Sequence, residues 1–371
     1  MDNFFQRYID SWRFNGWLVH DIFLGIVIGV GLLLVLYVLF KRRLKTAVII
    51  TFMLYAFLAN LLMIVFGLAG RSFPINSESP IYTDDAQKIA VQMVEGSENN
   101  GTTNGITQII SHHQIVAINL QTGEKQWSKY SSSKETLIGN FMGGLLIHHR
   151  DGEYGYLSLL DIHTGKEKLS KKEFAKKHKP LIDVLNNGSH TVVLLQNNLY
   201  LEGVDGEFYR FDGNKLMGDN KAEKYLSTKF FIESDIPGYF ASHNQPLEDY
   251  DEVREFSSNV LAEPAIQAYK NLEPAVLDVD LQQQTAIVSY RQTKRESADS
   301  TVLSYDMKKH RIMWEENIGV VNTEQKNPGV RTLENYYAIQ AGDEFLLLDK
   351  NTKKEMIRYQ LRWNRPVREN K

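Results

Sequence analysis

A unit of strand, tight turn and strand recurs along this chain at a spacing of 42 or 43 residues, and that period limits the fold more than any other feature. The clearest copy is Val116-Ala117-Ile118-Asn119-Leu120-Gln121-Thr122-Gly123-Glu124-Lys125-Gln126-Trp127. Val116, Ile118 and Leu120 alternate with small or polar residues, which is the pattern of a half-buried strand. Gly123 can take the positive φ that a tight reversal needs. Asn119 is followed eight residues on by Trp127, Asp161 by Leu169, Asp306 by Trp314 and Asp349 by Ile357. Thr122, Thr164, Lys309 and Thr352 hold the turn position, and apolar strands precede each copy. A period of roughly 40–45 residues with several short strands per unit is that of propeller blades. The expected fold is therefore mainly β, a β-propeller of about six blades with seven possible.

A weaker copy runs from Gly206 to Leu216, after strands at Thr191–Leu195 and Leu199–Leu201. The 98 residues from Leu216 to Trp314 leave room for two blades, or for one blade and an insertion. An acidic, helix-compatible stretch from Leu247 to Phe256 favours an insertion at 245–274, as does a second helical candidate at Ala265–Leu272 behind Pro264. Such an insertion is either a specialised binding surface or a cover for a blade edge. The propeller is expected over 87–362, with a Ser/Pro-rich linker at 71–86 and a tail at 363–371. Lys88–Val94 reads as a weak first strand and Glu95–Asn104 as a loop.

Ahead of the repeats, Ile22–Phe40 and Ala47–Gly70 carry no charge over nineteen and twenty-four residues. About 20 apolar residues span a bilayer as a helix. A cleaved signal peptide fits poorly, because the segment before the first span is long and acidic and a second span follows. The four cations of Lys41-Arg42-Arg43-Leu44-Lys45 are expected to hold the connecting loop in the cytoplasm. Residues 21–70 thus read as a transmembrane hairpin in the plasma (inner) membrane, two-pass, with both termini and the propeller extracytoplasmic. Residues 1–20, with Phe4, Phe5, Tyr8, Ile9 and Trp12 on one helical face and Trp17 beyond Asn15-Gly16, read as an interfacial amphipathic segment or a frayed terminus. Gly25 and Gly29 permit close helix packing, within the hairpin or between copies. Asn60 is expected to hydrogen-bond across the hairpin.

The unit ending in Trp127 resembles the pyrroloquinoline-quinone (PQQ) enzyme repeat family, whose blades close on a motif Ala-x-Asp-x-x-Thr-Gly-x-x-x-x-Trp. Leu160-Asp161-Ile162-His163-Thr164-Gly165 fits through the turn, Asp306 and Trp314 keep the two ends, and Asp349 and Thr352 keep the front half. The resemblance covers roughly 105–362. It implies a propeller and two kinds of function. One is a quinoprotein dehydrogenase built on calcium, a general-base aspartate and often a vicinal disulfide. The other is a cofactor-free scaffold, as in outer-membrane assembly lipoproteins. This chain has no cysteine, so that disulfide cannot form, and no segment matches the family's cofactor site. The Asp or Asn before each turn is expected to bond turn amides, and the terminal Trp to pack between blades.

Composition narrows the chemistry further. The first 71 residues carry a net charge of +4 and the remainder −7, which disfavours nucleic acid as a ligand. No Gly-x-Ser-x-Gly, phosphate-cradling glycine loop or His-Glu-x-x-His motif occurs. Neighbours on a strand face opposite ways, so neither His112-His113 nor His148-His149 can chelate one metal as a pair. Glu248, Asp249, Asp251, Glu252 and Glu255 lack the spacing of a calcium loop and read as a solvated acidic face. No catalytic or cofactor-binding residue, metal or cofactor is assigned. The chain is expected to be a membrane-anchored binding or scaffold module of the bacterial cell envelope, non-enzymatic and with a protein partner there. A membrane-bound quinoprotein dehydrogenase is the alternative.

Overall fold

The strands among the described residues form five antiparallel sheets of four or five strands, and each sheet is a consecutive run of strands in the sequence. The computed structural model describes residues 8–9, 11–14, 18–41, 46–69, 75–84, 86–103, 106–151, 155–188, 190–236, 239, 250–293, 299–320, 329–352, 354–362 and 365–366. The chain divides into two units, Met1–Phe73 with Ser97–His112, and Pro74–Gly96 with His113–Lys371.

In the first unit, helix α1 (Leu18–Lys41) and helix α2 (Thr46–Ala69) pack together. The Tyr55 hydroxyl donates to the Val27 carbonyl, and the Tyr55 ring lies against Gly31, where a Cβ would come within 3.3 Å of it. A Cβ at Gly25 or Gly29 would touch nothing, so those two glycines do not serve this packing. Within α1, His20–Val38 has mean hydropathy 2.6 and is long and apolar enough to cross a bilayer, while the apolar run of α2, Ile49–Ile64, is shorter. Asn60 does not bond across to α1. It accepts from the Tyr8 hydroxyl and donates to the Ala56 carbonyl of its own helix. Phe4, Phe5, Asn15, Gly16, Trp17 and the loop cations Arg42, Arg43 and Lys45 lie outside the described residues.

Sheet I holds β1 (Ile75–Ser77), β2 (Tyr82–Thr83), β3 (Ile89–Thr103), β4 (Ile106–Asn119) and β5 (Lys125–Ser131), with β1 and β2 both paired to β3. Sheet II is β6 (Glu135–Phe141), β7 (Gly144–His149), β8 (Tyr156–Leu160) and β9 (Glu167–Leu169). Sheet III is β10 (Val192–Leu195), β11 (Asn198–Glu202), β12 (Phe208–Phe211) and β13 (Leu216–Gly218). Sheet IV is β14 (Ala275–Asp280), β15 (Thr285–Arg291), β16 (Asp299–Asp306) and β17 (Arg311–Val320). Sheet V is β18 (Gly329–Thr332), β19 (Tyr336–Ala341), β20 (Glu344–Asp349), β21 (Glu355–Gln360) and β22 (Arg365–Pro366).

Several boundaries differ from the sequence-based expectation. The supposed linker 71–86 supplies two strands, because Ile75 and Ile81 are buried and the Ser79 hydroxyl accepts from the Met93 amide. The supposed loop Glu95–Asn104 belongs to β3 as far as Thr103, since ladder pairing is a main-chain property that a polar sequence can satisfy. Part of the supposed tail, Arg365–Pro366, pairs with Tyr359–Gln360. Five sheets replace the expected six or seven among the described residues, because the long gap before Trp314 is filled by helices. After the short helices α3 (Lys171–Lys177) and α4 (Lys179–Ile182) that follow sheet II come α5 (Lys221–Asp235), α6 (Tyr250–Ala262) and α7 (Pro264–Gln267), which fill this gap, so the insertion starts well ahead of residue 245.

Successive sheets touch in chain order. The Trp127 indole N–H of sheet I donates to the Ile162 carbonyl of sheet II at 2.8 Å. Phe141 of sheet II meets Phe211 of sheet III edge-on at 5.9 Å. Between sheets III and IV lie the helices: Tyr225 of α5 packs on Tyr200 at 4.7 Å, and Tyr269, just beyond α7, stacks on Tyr290 at 4.1 Å. Val253, Phe256 and Val260 of α6 share one apolar core with both sheets. Trp314 of sheet IV packs on Tyr337 of sheet V at 5.2 Å. Sheet V then meets sheet I, where Arg331 donates to the Ile81 carbonyl at 2.7 Å and the Glu334 amide donates to Gln87 at 3.0 Å.

The repeat motif is explained by these contacts. Asn119, Asp161 and Asp349 each accept turn amides two and three residues on through Oδ1, at 2.6–3.1 Å. Gly123 and Gly165 take φ of 71° and 67°. His310, which stands where the third copy loses its glycine, still adopts φ 48°. The residue that ends one unit lies on the turn glycine of the next sheet. A Cβ at Gly165 would fall 2.6 Å from the Trp127 ring, and one at Gly123 would fall 3.2 Å from Ile357 of sheet V.

Candidate functional site

Two polar groupings sit at opposite ends of sheet II. The first lies where β6 begins and β7 ends. Antiparallel pairing sets Glu135 directly across from His149, and the next strand brings in Ser158. The His149 ring reaches Ser158 Oγ through Nε2 at 2.7 Å and Glu135 Oε1 through Nδ1 at 3.1 Å. Ser131 donates to the other Glu135 oxygen at 2.7 Å. A second pair, His113 Nδ1 with Glu78 Oε1 at 2.8 Å, lies on sheet I, and the Glu135 charge is felt at His113.

This grouping controls protons strongly. Burial works to raise the Glu135 carboxyl, but the adjacent His149 ring and the Ser131 hydrogen bond outweigh it and hold the pKa at about 2. The neighbouring Glu78 carboxylate raises His113 against its burial. His148 faces the other way, as strand alternation requires, with Nε2 3.1 Å from the Asn186 carbonyl. Burial pushes it down to about 4.

Ser158, His149 and Glu135 stand in the order of a nucleophile, base and orienting acid. The serine is 2% exposed and the histidine 5%, so the hydroxyl faces the interior of the sheet. An acyl substrate has no approach to that oxygen in this conformation, and the arrangement acts as a buried cross-strand hydrogen-bond network. Sequence reading missed it, having looked for a local Gly-x-Ser-x-Gly signature. The signal lay in strand register, which brings residues 135, 149 and 158 together.

The second grouping is a cleft of 570 Å³ at the far ends of the same strands, lined by Asp84, Asn140, Asp161, His163, Asn197 and Asp212 among others. Its aspartates are occupied by the local backbone. Asp84 Oδ1 accepts the Lys88 and Ile89 amides at 2.6 and 2.8 Å, and Asp212 Oδ1 accepts Asn214 and Lys215 at 2.8 Å each. The Thr164 hydroxyl lowers Asp161, and the Lys215 amide lowers Asp212. Both remain anionic near neutrality, so the cleft presents negative charge.

Among the described residues, no group of three or more His, Asp or Glu is placed to hold a metal ion. His112 falls in the first unit and His113 in the second. Of the acidic insertion residues, Asp251, Glu252 and Glu255 are exposed on α6, opposite its buried Val253 and Val260, while Glu248 and Asp249 lie outside the described residues.

No family model matches the chain, and no curated protein matches it. Among solved structures, a functionally unknown protein from Desulfotomaculum acetoxidans DSM 771 is similar at 8% identity and TM-score 0.22, covering 75% of this chain and 84% of that one. A europium-containing methanol dehydrogenase is similar at 11% identity and TM-score 0.19, covering 80% and 56%. The rhamnogalacturonan lyase YesW follows at 11% identity and TM-score 0.15, covering 78% and 42%. Likenesses at these scores carry no argument about activity.

Proposed function

We propose that this chain is a membrane-anchored display module: a β-propeller held outside the plasma membrane of a bacterium by two helices, working as a non-enzymatic binding or scaffold protein of the cell envelope. The five sheets and the helical segment would be six sectors of one ring, with α5–α7 standing where a blade would otherwise lie. The contact of sheet V with sheet I supports closure of that ring.

The observation that carries the reading is a contrast between the two units. The helices turn large apolar side chains outward, with Leu33 67%, Met53 66% and Phe57 66% exposed, which only a bilayer or another apolar surface would cover. The sheets bury theirs and spend their polar groups internally. The burial of Ser158 supports a binding role over hydrolysis. The exposed acidic face of α6 is the natural surface for a partner with basic side chains, and its buried face anchors it rigidly to the sheets.

The test has two parts. A periplasm-active reporter fused after Lys371 should be active and a cytoplasm-active one silent; the reverse would overturn the topology. A purified sample reconstituted with quinone and calcium should then show no bound chromophore and no dye reduction. Reduction would replace the scaffold reading with the dehydrogenase one.

A further inference from the structure

The surface over the join of sheets II and III concentrates positive charge. From Lys166 to Lys179 there are seven lysines against two glutamates, although the chain beyond residue 71 has a net charge of −7. Helices α3 and α4 hold the second half of this run. Phe174 and Leu181 enter the apolar core shared by the two sheets, and the buried His178 ring lies 5.0 Å from both Phe174 and Phe211. A capping box of Ser170 and Glu173 starts α3. Lys172, Lys176, Lys177 and Lys179 are exposed, so a fixed element presents them to the outside.

The acids nearby are committed elsewhere. Glu173 accepts the Ser170 amide and hydroxyl at 2.9 and 2.7 Å. Glu167 pairs with Lys129 at 3.8 Å, and Asp151 takes Lys171 at 2.9 Å and Lys134 at 3.9 Å. Burial, helped by the Lys177 charge, lowers His178. The chemistry of the face selects its partner. Protein interfaces are built on aromatic and arginine anchors and are poor in lysine. Here no arginine occurs between Arg150 and Arg210, and among the described residues from 131 to 203 no large apolar side chain is exposed. Lysine is a point charge on a flexible stem and lacks the fork that grips a single phosphate. Four of them on one short element suit a layer of anionic headgroups, to which lysine clusters are drawn.

We infer that the α3–α4 face is a docking surface for the anionic headgroups of a phospholipid bilayer. The contact is electrostatic and superficial, because the face offers lysines in place of an apolar wedge. It goes beyond the display role and does not depend on it, since it requires only this face and a charged bilayer.

The experiment holds the full chain in nanodiscs of phosphatidylcholine and adds vesicles to it, with empty nanodiscs as background. Co-sedimentation with vesicles of equal parts phosphatidylcholine and phosphatidylglycerol should exceed that with phosphatidylcholine alone, and should fall as sodium chloride is raised. Each lysine near a charged surface is worth about fivefold in binding, so K172Q/K176Q/K179Q should lose about a hundredfold. K221Q/K224Q/K270Q removes the same charge from exposed lysines on α5 and beyond α7, and should lose far less. Both triple variants alter exposed side chains only, and circular dichroism checks that they fold. Failure to bind the anionic vesicles, equal binding to both kinds of vesicle, or equal losses in the two variants overturns the proposal. So does a chain that captures heparin and ignores the anionic vesicles, a result that would give the face to a soluble polyanion.

Discussion

The turn glycine of sheet II offers a sharp test of how the sheets are joined. Gly165→Ala meets two separate penalties. The first is backbone: at φ 67° a residue with a Cβ costs about 1–2 kcal/mol. The second is packing: the new methyl would sit 2.6 Å from Cδ2 and Cε3 of Trp127, closer than any real Cβ contact. Trp127 is only 9% exposed and its indole is tied to the Ile162 carbonyl, so the ring can yield only by breaking that bond and opening its seat. Overpacking of this kind costs about 1–3 kcal/mol, and the lost hydrogen bond adds roughly 1 kcal/mol. The total is about 3–6 kcal/mol, enough to unfold many domains. Gly206→Ala is the internal control. Gly206 has φ 79° but nothing within 4 Å of its added Cβ, so it should suffer the backbone cost alone. Urea unfolding of both variants, followed by far-ultraviolet circular dichroism, measures the difference. Repeating Gly165→Ala in a Trp127→Ala background should shrink its cost to that of Gly206→Ala, because the two sites couple only through the clash. If Gly165→Ala costs no more than Gly206→Ala, or costs the same without Trp127, then the join between sheets I and II is not built on this contact.

Further outcomes follow from the other contacts. His148 is buried neutral with its pKa lowered to about 4, while the unfolded chain takes up that proton near the ordinary value of 6.5. Stability should therefore fall as pH drops from 6.5 towards 4, by up to about 3 kcal/mol, and His148→Gln should flatten this slope in pH-dependent urea titrations. Glu135, held at about 2, contributes stability that is present above its ordinary value of 4.5 and is lost as pH falls towards 2; Glu135→Gln should remove that acid limb. His113, raised by Glu78, contributes stability below 6.5 that disappears as pH rises through its elevated pKa, so Glu78→Gln should weaken the fold most on the acid side of neutrality. Val260→Ala on the buried face of α6 should cost about 2 kcal/mol and unfold together with the sheets, whereas Glu252→Lys on its exposed face should leave the midpoint nearly unchanged.

Much of this protein was readable in the order of its residues. Alternation around Val116 and Ile118, the Asn119 and Asp161 turns and the charge-free run after Ile22 depend on near neighbours alone. The period-two pattern decides which side chains enter a core, and a glycine after an Asx turn decides where the chain reverses. Sequence also anticipated that Trp127 would pack between units, because so large an apolar surface at a strand end has nowhere else to go. What it could not supply is register and partnership across distance. Whether Glu135, His149 and Ser158 meet depends on how β6, β7 and β8 slide against one another, and a one-residue slip would separate them. The helical insertion at 245–274 was legible in its acidic stretch and in Pro264, but the helix ahead of it was hidden, since α5 carries no signal of what its buried face will meet. The same holds for Gly123: its neighbour is Ile357, more than two hundred residues away, and only the meeting of sheet V with sheet I makes a local turn glycine into a packing requirement.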